Sequence, residues 1–172
     1  MRKKIRVKIP KLVYDMMIQD MKYLDLKKET LYNIILQELG FEKINEIGKE
    51  LLILDEKKQI AFNLNDMNTS LILAMQESQN IDNDGELIIK LFSTYANLHS
   101  AIRERVVRKD FFLRLEKAIK EKNEVKILYQ DIVTKILPLA FERDFETGYN
   151  YLRVKTGKEE FLYEVRKIKF VS

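Results

Sequence analysis

The stretch Lys4-Ile5-Arg6-Val7-Lys8-Ile9-Pro10 alternates without a break, with Ile5, Val7 and Ile9 on one side and Lys4, Arg6 and Lys8 on the other. A period of two marks a strand with one face in a core and the other in water. Pro10 ends it. Helical spacing follows from about Leu12 to Leu24, with Val13, Met17, Met21 and Leu24 on one side, and from Lys28 to Leu39, with Leu31, Ile34, Ile35 and Leu39. Gly40 is placed to cap the second helix. A lone short strand can neither satisfy its backbone nor cover its apolar face, so the segment needs a partner strand.

A candidate partner lies further along. Ile60, Phe62 and Leu64 alternate with Gln59, Ala61 and Asn63, and helical patterns run near Met67 to Gln79 and Asp84 to Leu98. An offset of 55 superposes Ile5 on Ile60, Val7 on Phe62 and Ile9 on Leu64. In the second helix an offset of 56 fits better, setting Leu31 on Leu87, Ile35 on Leu91 and Leu39 on Tyr95. Duplication predicts antiparallel pairing of residues 5–9 with 60–64, although alternation this short also arises without it. Residues 41–58 join the copies, with a short helix through Ile44, Ile47 and Leu51 before a turn at Asp55 to Lys58.

Strand, helix, helix with a basic outward strand face resembles the ribbon-helix-helix family. The resemblance implies that Lys4, Arg6 and Lys8 meet base edges in the major groove of duplex DNA. It also implies that the amides opening the second helix hold a phosphate beside Lys27, Lys28 and Thr30. A basic strand face is equally the ordinary solvated side of a sheet. The second copy differs in charge: its outward residues are Gln59, Ala61 and Asn63, and Asp82, Asp84 and Glu86 stand where a phosphate would meet carboxylates. The expected object is an asymmetric pseudo-dimer, with repeat one gripping DNA and repeat two completing the fold.

In the last third, Asp110 is placed to cap a helix bearing Phe111, Leu115, Ala118 and Ile119, which ends near Asn123. Strand-like runs follow at Val125 to Tyr129, Thr134 to Phe141, Tyr149 to Lys155, Phe161 to Val165 and Ile168 to Val171, with turns at Gln130-Asp131, Thr147-Gly148 and Thr156-Gly157. One helix and five short strands suggest a small Sm-like or SH3-like barrel. From Phe111 to Ser172 the chain resembles a WYL domain: Ala118-Ile119, Tyr129, Lys135 ahead of Pro138, Tyr151-Leu152, and Tyr163-Glu164-Val165-Arg166-Lys167-Ile168 come in the family's order.

WYL domains are ligand-sensing modules of bacterial transcription regulators and CRISPR-associated accessory proteins, and members bind single-stranded nucleic acid. The resemblance implies a pocket lined by Tyr129, Lys135, Tyr151 and Lys167. Three positions depart from the family: Asn150 replaces its tryptophan, and Phe161 and Glu164 stand where basic residues are common. Arg153, Lys155 and Arg166 lie near enough in sequence to make up lost charge, since single strands need cations beside aromatic faces. Tyr129 and Tyr151 suit a barrel core equally well.

Charge follows this division. Residues 1–40 carry nine Lys and Arg against five Asp and Glu, residues 41–100 five against ten, and residues 101–172 seventeen against twelve. With no cysteine there is no disulfide, zinc-thiolate site or cysteine nucleophile. His99 is the single histidine and makes neither a metal site nor a triad. Glu124-Val125-Lys126 imitates half of a metal-dependent nuclease motif but lacks the acidic partner strand. Met16, Met17, Met21, Met67 and Met75 read as fillers of a helical core. No catalysis, cofactor, metal or membrane span is expected.

The chain therefore reads as α+β. A tandem, pseudo-dimeric ribbon-helix-helix region comprises repeat one (1–40), a linker (41–58) and repeat two (59–100), and residues 101–172 form a helix plus WYL barrel. The expected protein is a cytoplasmic, homodimeric transcription regulator that binds duplex DNA through the ribbon and senses single-stranded DNA or RNA at the barrel. A second reading is a CRISPR-associated accessory protein whose barrel binds single-stranded RNA to modulate an effector nuclease, the ribbon serving dimerisation. A third is a protein-interaction module.

Overall fold

The computed structural model describes residues 2–42 and 56–171, the side chains of 41 and 42 excepted. Strands β1 (Lys4–Pro10) and β2 (Lys57–Asn63) pair antiparallel within the one chain. Ile5, Val7 and Ile9 are buried and Lys4, Arg6 and Lys8 exposed, as the alternation requires. The register sets Arg6 opposite Ala61, its own counterpart at the offset of 55. Residues 5–9 thus pair with 58–62 rather than with the expected 60–64; a shift of two keeps Ile5, Val7 and Ile9 on the core face, so the alternation does not distinguish the two registers. Leu64 N–H to Lys3 O and Lys11 N–H to Glu56 O, both 2.8 Å, continue the bonding past both ends.

The helices keep the same spacing. α1 (Lys11–Leu24) and α3 (Asp66–Gln79) have 14 residues each. Both stop at a residue in the left-handed region, Asp25 at φ 53° and Asn80 at φ 52°, two residue types that tolerate it. α2 (Lys28–Glu42) and α4 (Asp84–Ala96) begin 56 apart, one residue having been added ahead of the second copy. Asn65 accepts the Asn68 amide at 2.8 Å to cap α3, and Asn83 accepts those of Gly85 and Glu86 at 2.7 and 3.3 Å to cap α4.

The second helices are exchanged: α2 packs on β2 and α3, and α4 on β1 and α1. Each repeat thus covers the strand of the other. Tyr32 of α2, Phe62 of β2 and Phe92 of α4 meet with ring centroids 5.0 to 5.9 Å apart. The Tyr95 hydroxyl of α4 donates to the buried Asp20 carboxylate of α1 at 2.7 Å. A polar acceptor is tolerated in a core where a hydrogen bond meets it. Gly40 does not cap α2, which continues to Glu42. It lies where α2 crosses α3, and a Cβ there would stand 2.8 Å from Met75 Sδ. Lys57 and Lys58 are strand residues rather than a turn, because Pro10 and Ile9 pair with them. The helix expected through Ile44, Ile47 and Leu51 and the turn residue Asp55 lie outside the described residues.

The chain divides into two compact units, Met1–His99 and Ser100–Ser172. The second opens with α5 (Ser100–Val107) and α6 (Lys109–Glu121). Arg108, not Asp110, precedes α6; Asp110 lies inside the first turn, where its charge still favours the helix start. Strands β3 (Val125–Tyr129), β4 (Ile132–Arg143), β5 (Asn150–Thr156), β6 (Glu159–Glu164) and β7 (Ile168–Phe170) form one antiparallel sheet in the order β6-β5-β4-β3-β7. A 3-10 turn at Val165–Lys167 links the last two. β6 pairs with β5 alone and the three-residue β7 with β3 alone, so among the described residues the sheet is not closed into the expected barrel. Phe112 and Leu115 of α6 pack against Ile127, Ile136 and Leu152 of its inner face.

Candidate nucleic-acid interface

On the outer face of the ribbon Lys4, Arg6 and Lys8 follow one another at alternate positions, about 7 Å apart by strand geometry. All three are exposed, and none forms an ion pair with another described residue. Across from them stand Asn63, Ala61 and Gln59. Lys57, exposed at the end of β2, adds a cation that the sequence reading placed in a turn. Unlike the others, Asn63 is engaged: its Nδ2 and backbone N–H donate to Glu29 Oε1 at 2.9 and 3.2 Å.

The start of α2 is more mixed than expected. Lys27, Lys28 and Thr30 are exposed, but Glu29 between them turns its carboxylate to the end of β2. Lys27 O accepts Leu31 N–H at 3.1 Å, so a lysine, with no acceptor in its side chain, holds the capping place. The matching start of α4 is occupied. Asn83 takes its amides, and Asp84 pairs with Lys3 at 2.7 Å and accepts from Gln76 at 2.9 Å.

In the second unit the structure gathers some of the expected pocket residues and separates others. Glu164 is the centre of the gathered group. It accepts from Arg166 at 2.8 Å and Lys167 at 3.1 Å. Burial alone would push its carboxyl up, but the two hydrogen bonds and the attached charges outweigh burial and hold it below the usual carboxylate range. Tyr151 lies opposite Glu164 in the register, and partial burial together with that carboxylate raises its phenol. Tyr129 accepts the Glu164 N–H at 3.2 Å and stacks on Tyr163 with centroids 4.1 Å apart and planes at 8°.

Arg153 and Lys155 are exposed on β5, but Arg153 is ion-paired with Glu142 and reaches Glu160 at 3.9 Å. Lys135 stands apart. It bonds Glu124 at 2.7 Å opposite Lys126, three pairs along β3 from Tyr129, or about 10 Å. The same bond gives Glu124-Val125-Lys126 a structural part. Of the familial departures, Asn150 has a clear role: buried, it donates through Nδ2 to Ala101 O and Glu104 Oε2 at 2.9 and 2.8 Å, tying β5 to α5.

Sequence reasoning missed two features. Lys169 joins Lys167 beside a cavity of about 270 Å³ that is also lined by Leu128, Gln130 and Asp131. Phe161, exposed, extends the Tyr129–Tyr163 stack with a centroid 6.2 Å from Tyr163. The alternation of β6 could have placed Phe161 and Tyr163 on one side; nothing short of the fold could have placed Lys169. Among the described residues no group of three metal-binding side chains occurs, and no helix is long and apolar enough to cross a membrane.

This geometry defines an α+β chain with an exposed cationic ribbon and a five-stranded sheet carrying paired cations beside aromatic rings. No family model matches the sequence, and no curated protein does. Among solved structures the chain is similar to one described as "Crystal structure of a CRISPR Cas-related protein", with a TM-score of 0.69 at 12% identity. The match covers 100% of this chain and 63% of that one, so the chain spans under two thirds of its structural neighbour. At this identity the likeness is one of fold.

Proposed function

We propose that the protein is a nucleic-acid-binding regulator that grips duplex DNA with the outer face of its ribbon and takes a single-stranded nucleic acid at its second unit. The observation that carries this reading is the row Lys4, Arg6 and Lys8, exposed and without carboxylate partners among the described residues, backed by buried Ile5, Val7 and Ile9. The paired strands and exchanged helices support a tandem ribbon-helix-helix region. A meander whose last short strand pairs beside its first, after a 3-10 turn, supports an SH3-like, WYL-type second unit.

The test is Arg6→Ala with Lys8→Ala. Their side chains leave the core face, so the fold should persist while duplex affinity falls and the salt dependence flattens by roughly two units of slope. Unchanged duplex binding by the double variant would remove the ribbon as the reader. A second reading, an accessory protein of a CRISPR system whose second unit binds single-stranded RNA, is favoured by the CRISPR Cas-related structural neighbour. Tight binding to single-stranded RNA with only weak, sequence-blind duplex binding would select it.

A further inference from the structure

We infer that the ribbon engages a duplex in one orientation, so that its target site lacks the dyad symmetry a two-fold ribbon would demand, with the residues of β1 rather than those of β2 carrying the recognition. The inference rests on the duplex reading above. Arg6 and Ala61 mark the pseudo-two-fold axis, because the register faces each with its own counterpart. At the axis and on either side of it the two repeats differ at every outward position. Lys4 corresponds to Gln59 at the offset of 55, Arg6 to Ala61 and Lys8 to Asn63. Rotation about the axis therefore carries three exposed cations onto two amides and a methyl group. One of those amides, Asn63, is already held by Glu29.

The flanks are unequal too, in the opposite sense, since α2 packs on β2 and α4 on β1. Lys27 and Lys28 flank the ribbon on the side of α2, whereas the matching positions at an offset of 56 are Asn83 and Asp84. There Asp84 is bonded to Lys3 and Asn83 to its own helix. Phosphates on the two sides of a bound duplex thus meet exposed lysines on one side and a carboxylate already paired with a lysine on the other. Direct readout requires a donor or acceptor at the base edge, and Ala61 offers only a methyl. Turning the duplex end for end would exchange cationic groups for neutral ones, at about tenfold in affinity for each base edge left unread.

The protein has no cysteine, so a single introduced one can carry a DNA-cleaving iron chelate without competition. Arg2→Cys and Glu56→Cys mark opposite ends of the ribbon, outside its outward row. The probe is a single duplex enriched from a pool with a random central segment. Each labelled protein should cut one flank of the site at least about tenfold more than the other, with the two labels on opposite flanks. Gln59→Lys with Ala61→Arg copies the cationic residues into the second repeat and should bring the ratio toward one. Equal cutting of both flanks by either label overturns the inference and leaves the duplex reading standing. Failure to enrich any duplex overturns the duplex reading itself, and this inference with it.

Discussion

At the residue scale the sharpest contrast is between cations with and without a carboxylate. Lys4, Arg6 and Lys8 have none among the described residues, whereas Arg153 faces Glu142 and Arg166 and Lys167 share Glu164. An exposed ion pair contributes little to folding, but it subtracts from the field that a phosphate backbone meets. Glu164→Gln should therefore strengthen binding of a single-stranded oligonucleotide and steepen its salt dependence, by about 0.7 in slope for each cation released to a phosphate. Titration across a salt series decides it, and unchanged affinity would place the ligand elsewhere. The pH behaviour follows in sign. A carboxyl held below its usual range contributes its stabilisation above the unfolded value and loses it only as pH falls through the lowered folded one. Wild-type affinity should accordingly gain nothing from Glu164 between about pH 7 and pH 5.

At the element scale Gly40 is informative, because α2 and α3 come from different repeats and meet there. An added Cβ would stand 2.8 Å from Met75 Sδ and 3.2 Å from Leu71 Cδ2. Gly40→Ala gains about 1 kcal/mol of helix propensity against a displaced thioether, a flexible group, and should be near neutral. Gly40→Leu has no such escape and should cost about 1 to 3 kcal/mol in urea unfolding. A leucine variant as stable as wild type would mean that the crossing is open. Most elements were legible in the sequence because one face of each is wet. The ribbon showed its period of two and the offset of 56 anticipated the added residue, but the register stands two residues from the expected one, because a shift of two leaves the same side chains on the core face. α5 was illegible for the opposite reason: its buried side holds Arg103 and Glu104, where apolar periodicity finds nothing. The exchange of α2 and α4 leaves no local trace either. At the candidate site the cations could be read from the sequence, but their neutralisation depends on which glutamates the register sets across the strands.

At the scale of the whole molecule, duplication inside one chain changes what folding requires. A ribbon assembled from two separate chains has no folded monomer, and its stability rises with concentration, by ~2.7 kcal/mol over a hundredfold range. Here β1 finds β2, and each second helix finds the opposite strand, without a second copy. The unfolding midpoint of the first unit should therefore stay fixed as concentration is raised a hundredfold within the range where the folded protein is monomeric. Interlocking adds a second requirement, that neither repeat survives the loss of the other. Phe62 reports on it: it is 1% exposed, and its ring lies against Tyr32 of one repeat and Phe92 of the other. Phe62→Ala should cost about 3 to 5 kcal/mol, and hydrogen exchange should speed up together in α2 and α4. Exchange rising in α4 alone would show two separable repeats, and a folded state found only as a dimer, with a midpoint that climbs with concentration, would show that a second chain completes the core.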